Sequence, residues 1–355
     1  TRAAGDMTSS ARPRVAVLGG GMAALTAAWK LSAPGWQDEL ESITVYQRGF
    51  RLGGKGASSR GEHGRIEEHG LHILLGYYEN SFAVLREVYA ELDRPRTDPD
   101  CPIGTWRDAF SPVPFVGVED HRAGAWHHWL AAFPTSDDSP GEGSPPPLTP
   151  LRFVVRGAQL LEHFVASIDR TEHRSGSFRL SASPPRADIA ATLVRTARAG
   201  LLAAVAEIAH LTAQFGDAVD ARNTPVGPLL RALDDARSQL DRWVDEDIAA
   251  SRILLLIDLI ASSMRGVVVD GLLTGPIGFP DIDHLDFRAW LRRHGARPST
   301  TGSAIVRGLY DLVFGYEQGD PDRPSFSAGL GLFLAGKMFF DYRGSLFWRM
   351  SAGMG

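Results

Sequence analysis

The sequence predicts an α/β protein that opens as a parallel sheet and continues into a mainly helical region. Three observations predict it. A short apolar strand runs straight into a glycine turn and a small-residue helix, a second β-branched strand follows, and helical periodicity dominates beyond residue 150. The 355-residue length suffices for two domains or one large interrupted one. A net charge of −5 gives no sign of a nucleic-acid partner. The single cysteine, Cys101, leaves no internal disulfide framework and fits a reducing cytoplasm. The polar N-terminus lacks the apolar run of a signal peptide. The most apolar segment, Ile253–Leu273, carries Asp258, Arg265 and Asp270, so it fails as a membrane span and reads as a buried helix able to line an apolar pocket.

Taken in order, RVAVLG (Arg14–Gly19) reads as a strand buried on both faces, since it lacks polar alternation. Met22–Ser32 is small and apolar and reads as a helix. SITVYQ (Ser42–Gln47), rich in β-branched and aromatic residues, reads as the second strand. NSFAVLREVYAEL (Asn80–Leu92) combines an Asn cap with apolar residues at helical spacing. Trp126–Trp129 is expected as a half-buried aromatic strand. Pro134–Pro150 is dense in Pro, Ser, Gly and acid and reads as an exposed loop. Beyond it, helices are expected at Asp188–Phe215, Val226–Val244, Asp247–Leu273, Phe287–His294 and Thr301–Phe314. Leu151–Gly157 and Ser177–Leu180 are candidate strands, and Asp341–Met350 a core strand.

The segment Gly19-Gly20-Gly21-Met22-Ala23-Ala24 fits the pattern G-x-G-x-x-G/A. Gly19 permits a tight turn, Gly21 lets the backbone approach a pyrophosphate, and Ala24 lets the helix sit close to the strand. The helix start at Met22 and Ala23 supplies N–H groups and positive partial charge. This is the signature of a Rossmann-type dinucleotide fold. Gln47 stands where an acid normally binds the adenosine ribose. Its amide oxygen can accept a hydroxyl hydrogen bond without charge assistance, or it is simply an exposed strand-end glutamine. The gap from Gly19 to Gln47 exceeds the usual ~20 residues, because residues 33–42 lengthen the connection.

A second glycine-rich, basic turn follows directly, with Arg48, Arg51, Gly53, Gly54 and Lys55, and then the run EEHGLHILLGYYEN. At these residues the chain resembles the FAD-dependent desaturase and amine-oxidase superfamily, and within it phytoene-desaturase-like flavoproteins. The resemblance covers the first 92 residues and is looser over 281–355. It implies a Rossmann-type FAD-binding domain, incomplete in this chain, plus a mainly helical substrate domain. The corresponding divisions are 12–133 for the N-terminal part of the FAD domain, 134–150 for the loop, and 151–355 for the substrate domain returning toward the FAD domain. It also implies that Gly19, Gly21, Met22, Ala23 and Ala24 cradle the ADP portion of FAD, with Gln47 and Arg48 at the strand end beside it. Arg51, Gly53, Gly54 and Lys55 would meet the phosphates and ribityl chain, and Gly70, Leu71 and His72 would border the flavin. Relatives often carry Arg at the position of Lys55, so a point charge replaces bidentate contact here.

His72, in the G-L-H match, is the candidate for tuning flavin or substrate, against a structural role. Glu67, Glu68, His69 and His72 crowd one segment, but their spacing scatters them over different faces and no metal site is expected. Hydride transfer to flavin needs no strong protein base, so the sequence need not display a catalytic residue. The resemblance implies dehydrogenation, either desaturation of an apolar substrate or oxidation of an amine. A parallel sheet with so few strands would expose apolar faces. A second polypeptide is therefore expected to complete the FAD domain, making this chain one piece of a two-piece flavoenzyme. The rivals are a non-catalytic FAD-binding scaffold and an NAD-linked dehydrogenase.

Overall fold

The computed structural model describes residues 11–68, 70, 72–122, 124–143, 248–272 and 279–352, with single positions at 153, 156, 157, 160, 231, 234, 235 and 238. The helix expected at 188–215 and the strand at 177–180 lie outside them, as do Leu71 and His69. The chain divides into two compact units. The first comprises 1–74, 80–111 and 348–355, and the second comprises 75–79 and 112–347. The hairpin at 115–132, grouped by sequence with the N-terminal region 12–133, lies in the second unit.

In the first unit, β1 (Arg14–Leu18) pairs in parallel with β2 (Ser42–Tyr46), Arg14 opposite Ser42 and Leu18 opposite Tyr46. Between them run α1 (Met22–Leu31) and the single-turn α2 (Trp36–Glu39). The expectation of a strand buried on both faces is corrected. β1 alternates exposed and half-buried residues, with Leu18 81% exposed, because among the described residues β2 is its one strand neighbour. Two-residue strands β3 (Ser59–Arg60) and β4 (Ile66–Glu67) pair antiparallel.

This unit's core lies away from the glycine turn. Short β5 (Leu74–Leu75) contributes Leu74, and α3 (Glu79–Leu92) contributes Phe82, which is fully buried. The one-turn helices α4 (Arg94–Thr97) and α5 (Trp106–Ala109) lead to β6 (Phe110–Val113). Phe82 meets Trp106, Phe110 and Trp348 edge-on, at centroid distances of 6.1, 5.8 and 5.6 Å. Edge-to-face pairing of this kind adds to simple area burial. Helix α3 begins at Glu79, so Asn80 lies inside it rather than capping it.

In the second unit, β7 (Phe115–Arg122) and β8 (Ala125–Ala132) form an antiparallel hairpin, with Phe115 opposite Ala132. The strand expected at Trp126–Trp129 is found within β8, where Trp126 is 64% exposed and meets His121 edge-on. Phe153, Arg156 and Gly157 are helical, so the strand expected at 151–157 is corrected. The centre of the unit is α6 (Ile248–Val269), which buries Leu254, Ile257, Ala261, Met264 and Val267. It is crossed by α7 (Phe287–Arg293), where a Cβ on Gly266 would lie 2.2 Å from the Trp290 ring. That crossing therefore requires glycine. Asp270 accepts hydrogen bonds from Trp290 Nε1 at 2.8 Å and pairs with His294 Nε2 at 3.0 Å, satisfying its half-buried charge.

The helix expected over Thr301–Phe314 is found as α9 (Ala304–Val313), preceded by the one-turn α8 (Pro298–Thr301). Ser303 sets the start of α9, because its hydroxyl accepts from Val306 N–H and caps the helix. A further helix, α10 (Ala328–Phe340), is capped by Ser327, and β9 (Phe347–Met350) closes the described chain. Asp286 caps α7 and also accepts from the Tyr310 hydroxyl at 2.8 Å, so one carboxylate ties α7 to α9. Burial and that acidic partner push the Tyr310 hydroxyl far above its ordinary pKa, keeping it a neutral donor.

Candidate functional site

The glycine turn lies between the end of β1 and the start of α1. Gly19 has φ +109 and donates its N–H to the Tyr46 carbonyl at 2.8 Å, so the turn closes against β2. A left-handed φ of this kind strains any residue but glycine. No side chain caps α1 at Gly21, and its first turn carries no acid. The orphan N–H groups of the helix start thus face outward with their positive partial charge. Cβ atoms built on Gly19 and Gly21 meet nothing within 4 Å. The turn leaves space in front of it, as an approaching diphosphate needs.

The second glycine turn docks onto the first. Gly53 N–H donates to the Gly20 carbonyl at 2.7 Å, and Gly21 and Gly53 form a parallel bridge. Gly54 has φ +58, and a Cβ on it would stand 2.9 Å from Gly21 Cα. Residues separated by over thirty positions are thereby fused into one backbone surface, with Lys55 in a single 3-10 turn at its rim. Gln47 buttresses that join. Its amide donates to the Arg51 carbonyl at 3.1 Å, and its Oε1 lies where a Cβ on Gly20 would come within 2.7 Å. Arg51 reaches the Ser58 carbonyl at 2.5 Å, bracing the same loop. Arg48 and Lys55 are exposed beside it, as is the α1 start at Met22 and Ala23, while Ala24 is half-buried.

His72 is half-buried and its Nδ1 pairs with Glu68 Oε2, while Ser58 Oγ donates to Glu68 Oε1 at 2.7 Å. This Ser58–Glu68–His72 chain ties the 58–72 segment together and orients the imidazole. Ser58 carries no sequence signal for that role; Glu68, four residues before His72, does. Gly70 is exposed. Among the described residues no group of three or more His, Cys, Asp or Glu is placed to hold a metal, and no helix is long and apolar enough to cross a membrane.

The family model of NAD(P)-binding Rossmann-like domains matches residues 17–88 of this chain. No curated protein and no solved structure matches it. The matched span contains both glycine turns, β2 and the start of α3. The chain therefore carries a Rossmann-like nucleotide-binding domain within mixed α/β content, which is consistent with an oxidoreductase that uses a dinucleotide, FAD or NAD(P).

Proposed function

We propose that the dinucleotide is FAD and that the protein is an FAD-dependent oxidoreductase, dehydrogenating a small or apolar substrate by hydride transfer to the flavin. One observation carries this reading: a second, basic glycine turn locked by backbone contacts onto the uncapped start of α1. A single turn serves one diphosphate in either cofactor, whereas two fused turns give an extended cradle suited to the longer run from pyrophosphate to ribityl chain. FAD, when bound, supplies the hydride acceptor. The N–H groups at Met22 and Ala23 would bind the pyrophosphate, Lys55 and Arg48 would offset its charge, and Glu68 would hold His72 with Nε2 turned away from the carboxylate.

Completion of the FAD domain by a second polypeptide belongs to the same proposal. Around the turn, Leu18, Met22, Tyr46, Phe50 and Leu52 are exposed, Phe50 at 99%. An apolar rim of this kind on a two-stranded parallel sheet calls for cover. A second reading, a scaffold subunit that holds FAD without turnover, is favoured by Gln47, which stands in place of an acid and whose Nε2 is engaged by the Arg51 carbonyl. Titration of the protein purified from its source, with any second polypeptide retained, against FAD and, separately, against NADH tests the cofactor. Saturable flavin binding with no NADH binding is expected; the reverse overturns the proposal. Bleaching of bound flavin by a substrate separates enzyme from scaffold, and native mass spectrometry of material purified from its source tests for the second polypeptide.

A further inference from the structure

The second unit contains a cavity of about 420 Å³ walled by β7, α6, α9 and α10. Its size falls in the range of small-molecule sites, roughly 300–1,000 Å³. Among the described residues that line it, Glu119 and Ser263 alone carry polar side chains. The Ser263 hydroxyl is already committed to the Leu259 carbonyl at 2.8 Å. Glu119 is 62% exposed and paired with His128 at 3.0 Å, which puts its charge at the mouth rather than in the depth. Leu312, also in the wall, is 47% exposed and marks the same opening.

One wall residue has no structural reason to be what it is. Gly308 lies in the middle of α9, where glycine costs helix stability relative to alanine. Its φ is not left-handed, and a Cβ built on it meets nothing within 4 Å. Gly331 of α10 shows the contrast, since a Cβ there would come within 2.8 Å of the Phe287 ring and packing demands glycine. Gly308 is itself exposed, so the missing side chain leaves room where the cavity opens to solvent.

We propose that this cavity binds a lipophilic molecule, a hydrocarbon chain or ring system whose polar end lies at Glu119 and is a hydroxyl or an ammonium but not an anion, and that Gly308 keeps the space for it. A carboxylate in the cavity would need a cation beside it. The described wall supplies none, and Glu119 at the mouth repels an anion and attracts a cation. As the naming of a substrate class this rests on the oxidoreductase reading above, and it selects a lipophilic neutral or cationic compound over an acid. As a binding site it stands without that reading.

The test uses the full chain without cofactor, the neutral fluorophore N-phenyl-1-naphthylamine as probe, and three competitors of one chain length: dodecanol, dodecylammonium and dodecanoate, each below its micellar concentration. Saturable probe binding is expected, with dodecanol and dodecylammonium each competing at least about tenfold better than dodecanoate. Gly308→Leu is expected to weaken probe binding by about tenfold, while Gly308→Ala keeps it within about threefold. Absence of saturable binding overturns the proposal, as does equal competition by dodecanoate. So does Gly308→Leu with wild-type affinity and an unchanged far-UV spectrum. If Gly308→Leu fails to fold, the competition series on the unaltered chain decides alone. In material purified from its source with any second polypeptide retained, binding of the probe without flavin overturns the cofactor reading and leaves this site standing; flavin binding without the probe does the converse.

Discussion

Helix α1 runs ten residues and buries none of its side chains, whereas α6 runs twenty-two and buries a near-continuous face against α7. The first is held by backbone. Two glycine turns exchange a hydrogen bond and a bridge, and the outer face of α1 is tethered to α3 by Trp29 Nε1 donating to Glu91 at 2.7 Å and by Lys30 pairing with Glu87 at 2.5 Å. The second is held by packed volume, with Trp290, Ile257, Met264 and Leu291 almost wholly removed from water. The regions should therefore fail by opposite kinds of change. Removing side-chain atoms damages the helical unit, and adding a single methyl group damages the glycine turns.

The largest effect should come from Trp290→Ala, which empties the α6–α7 crossing and strips Asp270 of a donor. A loss of about 3–5 kcal/mol in denaturant unfolding is expected. A loss below about 1 kcal/mol would mean that the packed region is not held by packing. Next comes Gly54→Ala. The left-handed φ and the 2.9 Å approach to Gly21 Cα make even a methyl group costly. Strain of about 1–2 kcal/mol should appear as roughly tenfold weaker FAD binding, with the unfolding midpoint of the helical unit unchanged. An equal loss of both would erase the distinction between the two regions.

A smaller effect of opposite sign is expected for Gly308→Ala, which should raise stability by about 0.5–1 kcal/mol in the same unfolding assay. That result would mark Gly308 as a glycine kept for space, unlike Gly266. The smallest is a pH effect in the first unit's aromatic cluster. Asp108 at α5 is held below the usual carboxylate range by the Thr105 hydroxyl and then by Thr105 N–H. A lowered folded-state value means that ionised Asp108 stabilises the fold above the ordinary carboxylate range, and that the contribution fades as pH falls through the folded value. The difference in thermal midpoint between wild type and Asp108→Asn should thus shrink on acidification. A difference independent of pH would sink the assignment.

Legibility in the sequence followed the same division. The helix expected at Met22–Ser32 is found at Met22–Leu31, and the strand expected at Ser42–Gln47 is found at Ser42–Tyr46. Both are local: a glycine turn between a strand and a helix writes its requirements into consecutive residues. The fused turns were only half legible. Gly19 and Gly21 announce a turn by spacing, but nothing in the letters says that Gly53 bridges Gly21 or that Gln47 buttresses Gly20. Ser58 beside Glu68 and His72 was hidden for the same reason. Helix α10 was missed because Gly329, Gly331 and Gly336 mask its periodicity, and the reason for Gly331 is a ring on another helix, Phe287.

By itself the sequence determined the strand–turn–helix–strand opening, the dinucleotide chemistry of its glycines and the apolar character of α6. Those depend on neighbours a few residues apart, where backbone sterics and periodicity act directly. Only the tertiary structure decided that β1 is half bare, that two glycine turns make one surface, and that Gly308 opens onto a cavity. Each of these is a relation between residues distant in the chain, and burial, close approach and empty volume exist only once such residues are brought together.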